Sequence, residues 1–370
     1  MGIQNKAKNA QPTLSENLAV KTTAYRRGNF GLMSLREPLL VDCGDYVVAQ
    51  GRDPIDATIA SYPLFSAERL ELMLAELRAK LRHDEYLREN RPRSGAVVEG
   101  IGRFAGEWFQ RLDFPEHGLN TVLERHWHRM DEGGVNTLGR HFSSEEACLL
   151  RPWPKWLYLR EHLPKLRGKS IMEVGSCNGF FPFRFAELGA ERVTAVEVLR
   201  AKHESAVWAN SVYGWRNIEF VNTDFMVDFT IEPHVIVFVS EVVNHLLCPL
   251  WAVARLLSLA RETLLLDTGV FESNVHAMEL STGWRKDDPL PRFLSYNVSD
   301  GLFVSFFKLL GIRDCDITKF VEAGAGHILY RIDTRYMHAN NLRGNVAEAM
   351  RRSLAMELTL PEPSIALTAR

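Results

Sequence analysis

From residue 169 onward the chain alternates between short β-branched, apolar runs and longer runs with helical spacing. Strand-like runs fall at 170–174, 192–197, 218–221, 235–239 and 263–267, with helix-like runs at about 179–189, 200–213 and 249–260 between them. Strands separated by helical segments of that length are joined by crossovers, which build a parallel sheet with helices on both faces. The spacing therefore predicts an α/β fold. A helix at about 299–310 and strands at 314–320 and 327–332 close the pattern, with Gly324-Ala-Gly326 set between the last two as a hairpin turn.

The chain has 370 residues, enough for this sheet and a substantial N-terminal portion. Residues 1–20 are polar, lack an apolar period and read as a disordered tail. Residues 21–150 read as mainly helical. Ser66 caps a run in which Leu70, Met73, Leu74, Leu77 and Leu81 recur on one face, and a second helical region is expected over 96–112, anchored by Phe104, Trp108 and Phe109. Residues 113–150 read as loop, 151–335 as the sheet-bearing domain, and 336–370 as a C-terminal helix and tail.

With 44 basic and 46 acidic side chains the net charge is −2, which excludes a strongly basic nucleic-acid coat. Five cysteines with no CxxC pair point to reduced thiols and a cytoplasmic setting. No apolar signal region opens the chain, and the longest apolar stretch, 246–260, is broken by Arg255 and too short to span a bilayer, so no membrane association is expected.

The chemistry concentrates at the ends of the predicted strands. Glu173-Val-Gly-Ser-Cys-Asn-Gly179 follows the first strand and opens a helix. Gly175 permits a sharp turn, Gly179 permits close approach of a ligand, and the helix start points free N–H groups at the loop. Glu197 ends the second strand, 22 residues after Gly175, where a carboxylate can accept hydrogen bonds from ribose hydroxyls. Asp224-Phe225 follows the third strand, placing an acid and a stacking ring where an adenine would lie. Ser240-Glu241 ends the fourth, followed by Asn244 and His245. A single glutamate at a strand end is ordinarily just solvated; contacts at four successive strand ends are a different matter. The NAD fingerprint fails, because Cys177 and Phe180 stand where it requires glycine. No HExxH, Walker A or GxSxG motif is present. His126-Trp-His128-Arg-Met-Asp131-Glu132 has no second ligand cluster at suitable spacing, so no metal site is expected.

On these residues the chain resembles the class I S-adenosylmethionine (SAM)-dependent methyltransferases. Glu173–Gly179 stands in for that family's E/D-x-G-x-G-x-G loop, with Ser176 and Asn178 at variable positions and Cys177 in place of the middle glycine. The resemblance implies a Rossmann-like sheet with helices on both faces and SAM as cofactor. It implies a cofactor site of Glu173, Gly175, Ser176, Asn178, Gly179, Glu197, Asp224, Phe225, Ser240 and Glu241. The run from Lys155-Trp156 to Gly168-Lys169, His245, and the late segment Phe293-Leu-Ser-Tyr-Asn297 are similar to the tRNA wobble-uridine carboxymethyltransferase-like branch. In that branch a lysine beside tryptophan and a tyrosine before the histidine hold carboxylated SAM. Lys155 matches the first; Asn244 replaces the tyrosine, and the branch's C-terminal basic residue has no counterpart, so ordinary SAM is the expected cofactor.

His245 is the candidate general base, since an imidazole accepts a proton near neutral pH. Lys155, Trp156, Asn244, Trp284 and Tyr296 are the candidate acceptor-binding residues, the last two from a mixed aromatic and polar segment at 271–298. A small-molecule acceptor is the leading reading. A tRNA acceptor draws on Arg78, Lys80, Arg82, Arg88, Arg91 and Arg93, a patch diluted by Glu76, Asp84, Glu85 and Glu89. A catalytically silent binding protein is the third.

Overall fold

The computed structural model describes residues 59–63, 66–90, 95–122, 141–271, 276–282, 294–322 and 326–340. The chain begins there with strand β1 (Ala60–Pro63), helices α1 (Ala67–Asn90) and α2 (Gly95–Arg103), and a small ladder of β2 (Asp113–Phe114) and β3 (Leu119–Asn120). Helices α3 (Ser144–Leu150) and α4 (Trp153–His162) follow. The alternating region is β4 (Ser170–Val174), α5 (Phe180–Glu187), β5 (Arg192–Glu197), α6 (Arg200–Tyr213), β6 (Ile218–Asn222), β7 (His234–Ser240), α7 (Pro249–Leu259) and β8 (Ala260–Phe271). It ends in β9 (Met278–Thr282), β10 (Leu294–Ser299), α8 (Asp300–Leu309), β11 (Ile317–Glu322), β12 (His327–Asp333) and α9 (Arg335–Ala339).

The central sheet runs β6-β5-β4-β7-β8-β12-β11-β1. Strands β4 to β8 are mutually parallel, β12 is antiparallel to both β8 and β11, and β1 pairs in parallel with β11. This is the α/β, Rossmann-like sheet expected from the alternation. The antiparallel β11–β12 pair also holds; its turn at 323–325 lies outside the described residues.

Each central strand is apolar on both sides because both sides are covered. Ile171, Ile236 and Phe238 face a core shared with α1, α2, α4 and α5, whereas Met172, Val237 and Val239 face one shared with α7 and α8. The two-residue period of a strand makes that division. Helix α1 contributes Met73, Leu74 and Leu77 to the first core, so the N-terminal helices pack onto the sheet's own helical layer.

Three local features differ from the sequence reading. The helix expected over 96–112 stops at Arg103, and Gly106 turns the chain at φ 83°. Trp108 then folds back, donating its indole N–H to the Ile101 carbonyl at 2.9 Å. Within 113–150, β2, β3 and α3 are regular; the α3 start carries a capping box of Ser143 and Glu146. Residues 60–63 add an edge strand that their composition did not signal. Of the expected tail regions, 1–20 and 341–370 lie outside the described residues.

Between β4 and β7 the strand order reverses, since the chain leaves β4 towards β5 and β6 and returns on the other side. Open α/β sheets bind ligands in the crevice outside the carboxyl ends of the strands at such a reversal. No helix among the described residues is long and apolar enough to cross a membrane.

Candidate functional site

The turn after β4 is built by backbone conformations that most side chains avoid. Gly175, Cys177 and Gly179 have φ of 77°, 50° and 89°. A Cβ on Gly175 would sit 2.3 Å from Val242 Cγ2, so glycine is required there for space as well as for torsion. Cys177 takes up a left-handed conformation where the resembling family has glycine, which stores local strain. Burial pushes its thiol pKa up to about 12, so it is a packed, unreactive thiol.

Glu197, at the end of β5, ties this turn down. Its Oε2 accepts from the Cys177 N–H at 2.7 Å and its Oε1 from the Leu199 N–H at 2.8 Å. Asn178 works inward: its Oδ1 accepts from the Phe109 and Gln110 N–H groups at 2.8 and 3.1 Å, and its Nδ2 donates to the Glu107 carbonyl and Ser205. Gln110 returns the contact, accepting from the Phe180 N–H at 3.0 Å. Residues 107–110 are thereby stitched along the glycine turn. Two buried polar atoms here have no protein partner: Glu173 Oε2, near the end of β4, and Ser176 Oγ, in the turn. Burial pushes the Glu173 carboxyl well above its ordinary range, and Glu197 adds to the effect. Unpaired polar groups at such depth are costly.

Beside this turn is a cleft of about 100 Å³, lined by Val174, Gly175, Val196, Asp224, Phe225 and Val242 among others. Its walls are apolar. Asp224 stands at the rim with its Oδ1 accepting the Met226 N–H at 2.9 Å, and Phe225 is buried behind it.

Across the reversal a second group forms around Asp267 in β8, which is fully buried. Its carboxylate receives the Tyr158 hydroxyl at 3.0 Å, the Ser240 hydroxyl and the Lys155 ammonium at 2.9 Å, and His327 Nδ1 lies 3.3 Å away. Lys155 also reaches Ser240 at 3.0 Å and Glu241 at 3.2 Å, and His327 Nε2 hydrogen-bonds Glu241. Glu241 is held in a left-handed conformation, φ 54°, with its N–H on the Asp267 carbonyl at 2.9 Å. Burial alone would lower the pKa of Lys155 and of His327 and raise that of Glu241. The opposite charges win in each case, so Lys155 and His327 are raised and Glu241 is strongly lowered. The result is a closed set of contacts joining Lys155, Glu241, Asp267 and His327 beside the ends of β7 and β8.

Glu241, Asp267 and His327 bring ligand-type atoms within 4.8 Å of one another. The Lys155 ammonium occupies the same centre, so a divalent cation there would face a fixed positive charge.

The expected site residues thus separate. Lys155, Ser240, Glu241 and Asn244 come together; the Asn244 Nδ2 lies 3.5 Å from Glu241 Oε2, and its buried Oδ1 has no partner. His245 sits on a single 3-10 turn, Val243–His245, and is solvent-accessible. Desolvation by the surrounding protein lowers its pKa, with Glu241 pulling the other way. Trp156 packs in the core against Phe181 and Phe185. Tyr296 lies on β10, which pairs with β9 and with the end of β8. Trp284 and His126 to Glu132 lie outside the described residues. Asp267, His327 and Tyr158 were missed. The signal for Asp267 was an acid closing an apolar strand; His327 and Tyr158 carried none.

No protein-family model and no curated protein sequence matches the chain. Solved structures resemble it at low identity. The N-terminal domain of EvdMO1 with SAH bound is 14% identical, over 66% of this chain and 96% of that one, with a TM-score of 0.46. An S-adenosylmethionine dependent methyltransferase from Mesorhizobium loti is 15% identical over 48% and 97%, TM-score 0.39. A putative one from Listeria monocytogenes is 12% identical over 48% and 95%, TM-score 0.40.

Proposed function

We propose that this chain is a SAM-dependent methyltransferase acting on a small-molecule acceptor. The observation that carries the reading is the strained turn at Gly175–Gly179, with the partnerless Glu173 Oε2 just before it, the Ser176 hydroxyl inside it and Glu197 at the next strand end. Those groups fit the cofactor's polar atoms, and the apolar cleft at Asp224-Phe225 fits its adenine. Gly175 and Gly179 allow close approach of the backbone, Glu197 supplies an acceptor for ribose hydroxyls, and Glu173 supplies a carboxyl for an ammonium. When bound, SAM supplies an activated methyl group.

The chain's remaining task is to align an acceptor and exclude water. Glu241 and Asn244 stand at the carboxyl end of β7 with Oε2 and Oδ1 as hydrogen-bond acceptors for it. Lys155, raised in pKa above an already high ordinary value, keeps its proton at neutral pH, and together with His327, whose pKa is also raised, it serves to fix Glu241. His245 is shifted the other way and is neutral there, so it is the histidine able to take a proton from the acceptor.

A small acceptor is favoured over tRNA because the basic residues of α1 are outnumbered by acidic ones and partly spent internally. Lys80 lies 3.4 Å from the Trp153 ring centroid and 3.9 Å from Asp113, and Arg78, Arg82 and Arg88 are interspersed with Glu85 and Glu89. Mass spectrometry of nucleosides released from purified, denatured protein tests the cofactor: SAM or S-adenosylhomocysteine is expected, and a dinucleotide in its place would refute the reading. Retention of bulk tRNA on a filter at both low and high salt would refute the choice of acceptor. With an acceptor in hand, His245→Ala should lower turnover by about 10²–10⁴-fold at unchanged SAM affinity.

A further inference from the structure

We infer that Gln110 is a positioning residue for the glycine turn, so that the N-terminal helical layer sets how tightly the turn holds its ligand; this rests on the reading of the cleft as a SAM site. The left-handed conformations at Gly175, Cys177 and Gly179 persist only where their surroundings hold them. The first half of the turn is held by the neighbouring strand. The Val196 carbonyl accepts from the Gly175 and Ser176 N–H groups at 2.9 and 3.1 Å, and Glu197 accepts from Cys177. The second half leads into α5, whose first N–H groups need partners from outside the helix. An N-cap side chain ordinarily supplies one, but the N-cap here is Gly179, at φ 89° and with its Cβ position 3.1 Å from the Phe183 ring. Gln110, 70 residues earlier in the chain, supplies it instead: its side-chain oxygen accepts from the Phe180 N–H at 3.0 Å.

Gln110 grips this step twice and is itself gripped. Its own N–H donates to Asn178 Oδ1 at 3.1 Å, so one residue clasps both sides of Gly179. It is buried, and the Thr121 hydroxyl donates to its carbonyl at 3.4 Å. The next residue, Arg111, is buried and makes a two-pronged pair with the fully buried Asp84 of α1, at 2.6 and 2.9 Å. Arg111 Nε also donates to Asp113 at 2.8 Å, and Asn120 donates to Asp84 at 2.8 Å. A planar guanidinium held by two carboxylates fixes the direction as well as the place of the backbone beside it. The line of contact therefore runs from α1 through Asp84, Arg111 and Gln110 to the start of α5. A turn already set in its binding geometry loses less freedom when a ligand arrives, and the difference appears as affinity.

Calorimetry of S-adenosylhomocysteine binding to the full chain tests this, with hydrogen exchange at the Phe180 amide as the structural readout. Gln110→Met keeps the length of the side chain and removes the acceptor. It should weaken binding about 5–30-fold, and its Phe180 amide should exchange faster than in wild type. Gln110→Asn withdraws the amide by one methylene and should act in the same direction; it decides the matter if the Met variant does not fold. Thr334→Val is the comparison. It removes a buried hydrogen bond, from Thr334 to the Ala260 carbonyl at 2.7 Å, at the amino end of β8 opposite the cleft. It should lower the urea midpoint and leave the affinity unchanged. Wild-type affinity in the deciding variant, an unchanged exchange rate at Phe180, or an equal loss of affinity in Thr334→Val overturns the role of Gln110 and leaves the SAM site standing. No binding by wild type overturns both.

Discussion

The two halves of the cleft are built on opposite principles. On the β4–β5–β6 side, function follows from backbone: a strained turn, one carboxylate gripping it, and an apolar slot. On the β7–β8–β12 side it follows from side-chain charge, with Lys155, Glu241, Asp267 and His327 drawn from α4 and three strands. The first half leaves polar atoms unpaired and so is arranged for something to arrive. The second pairs its charged groups with one another, although Asn244 Oδ1 and His327 Nδ1 lack hydrogen-bond partners there too.

That difference decides what the sequence disclosed. Glu173, Gly175, Gly179 and Glu197 lie at fixed short spacings in one strand–turn–helix–strand unit, and such local spacing survives in sequence. Strands β4 to β8 were likewise legible from alternation, because each buries both faces. The charge group was only half legible. Asp267 and His327 are 60 residues apart and meet because β12 returns antiparallel beside β8, pairing Leu329 with Asp267. Nothing in either residue's neighbourhood announces the other. The short edge strand β1 and the early stop of α2 were missed for a related reason. A four-residue strand carries too little pattern, and the helix ends through Gly106 within a run that keeps helical spacing.

Removing the hub of the charge-paired half should cost most. Asp267→Ala leaves Lys155, His327 and Tyr158 without their shared partner inside the protein. It should lower stability by about 3–5 kcal/mol, the scale for breaking a buried ion pair. Urea denaturation measures this, and a loss comparable to a surface substitution would mean that the group is not the lock described.

The backbone half should respond next. Gly175→Ala adds a Cβ 2.3 Å from Val242 Cγ2 at a φ of 77°, and should cost about 2–4 kcal/mol together with cofactor binding. Wild-type binding in that variant would show that the turn tolerates what its geometry forbids.

A smaller effect sharpens the contrast through pH. The folded His327 pKa is raised above 6.5, so its contribution to stability is fully present below that value. It is lost as pH rises through the folded value. Wild type should therefore lose stability relative to His327→Gln as pH rises above about 6.5, read from urea midpoints. Glu241, strongly lowered, contributes above its ordinary value of 4.5 and loses that contribution only as pH falls below it. Parallel midpoints for the two proteins across the alkaline range would mean that His327 is not held by the carboxylates.

The most direct test of the central claim is a calorimetric titration of S-adenosylhomocysteine into wild type and Glu197→Ala. Glu197 grips the turn, and it is the residue proposed above to accept from the ribose hydroxyls. The account predicts saturable binding to wild type and a loss of about 1–3 kcal/mol, or about 10–100-fold in affinity, in the variant. No binding by wild type up to about 1 mM ligand, or equal affinity in the two proteins, would contradict it.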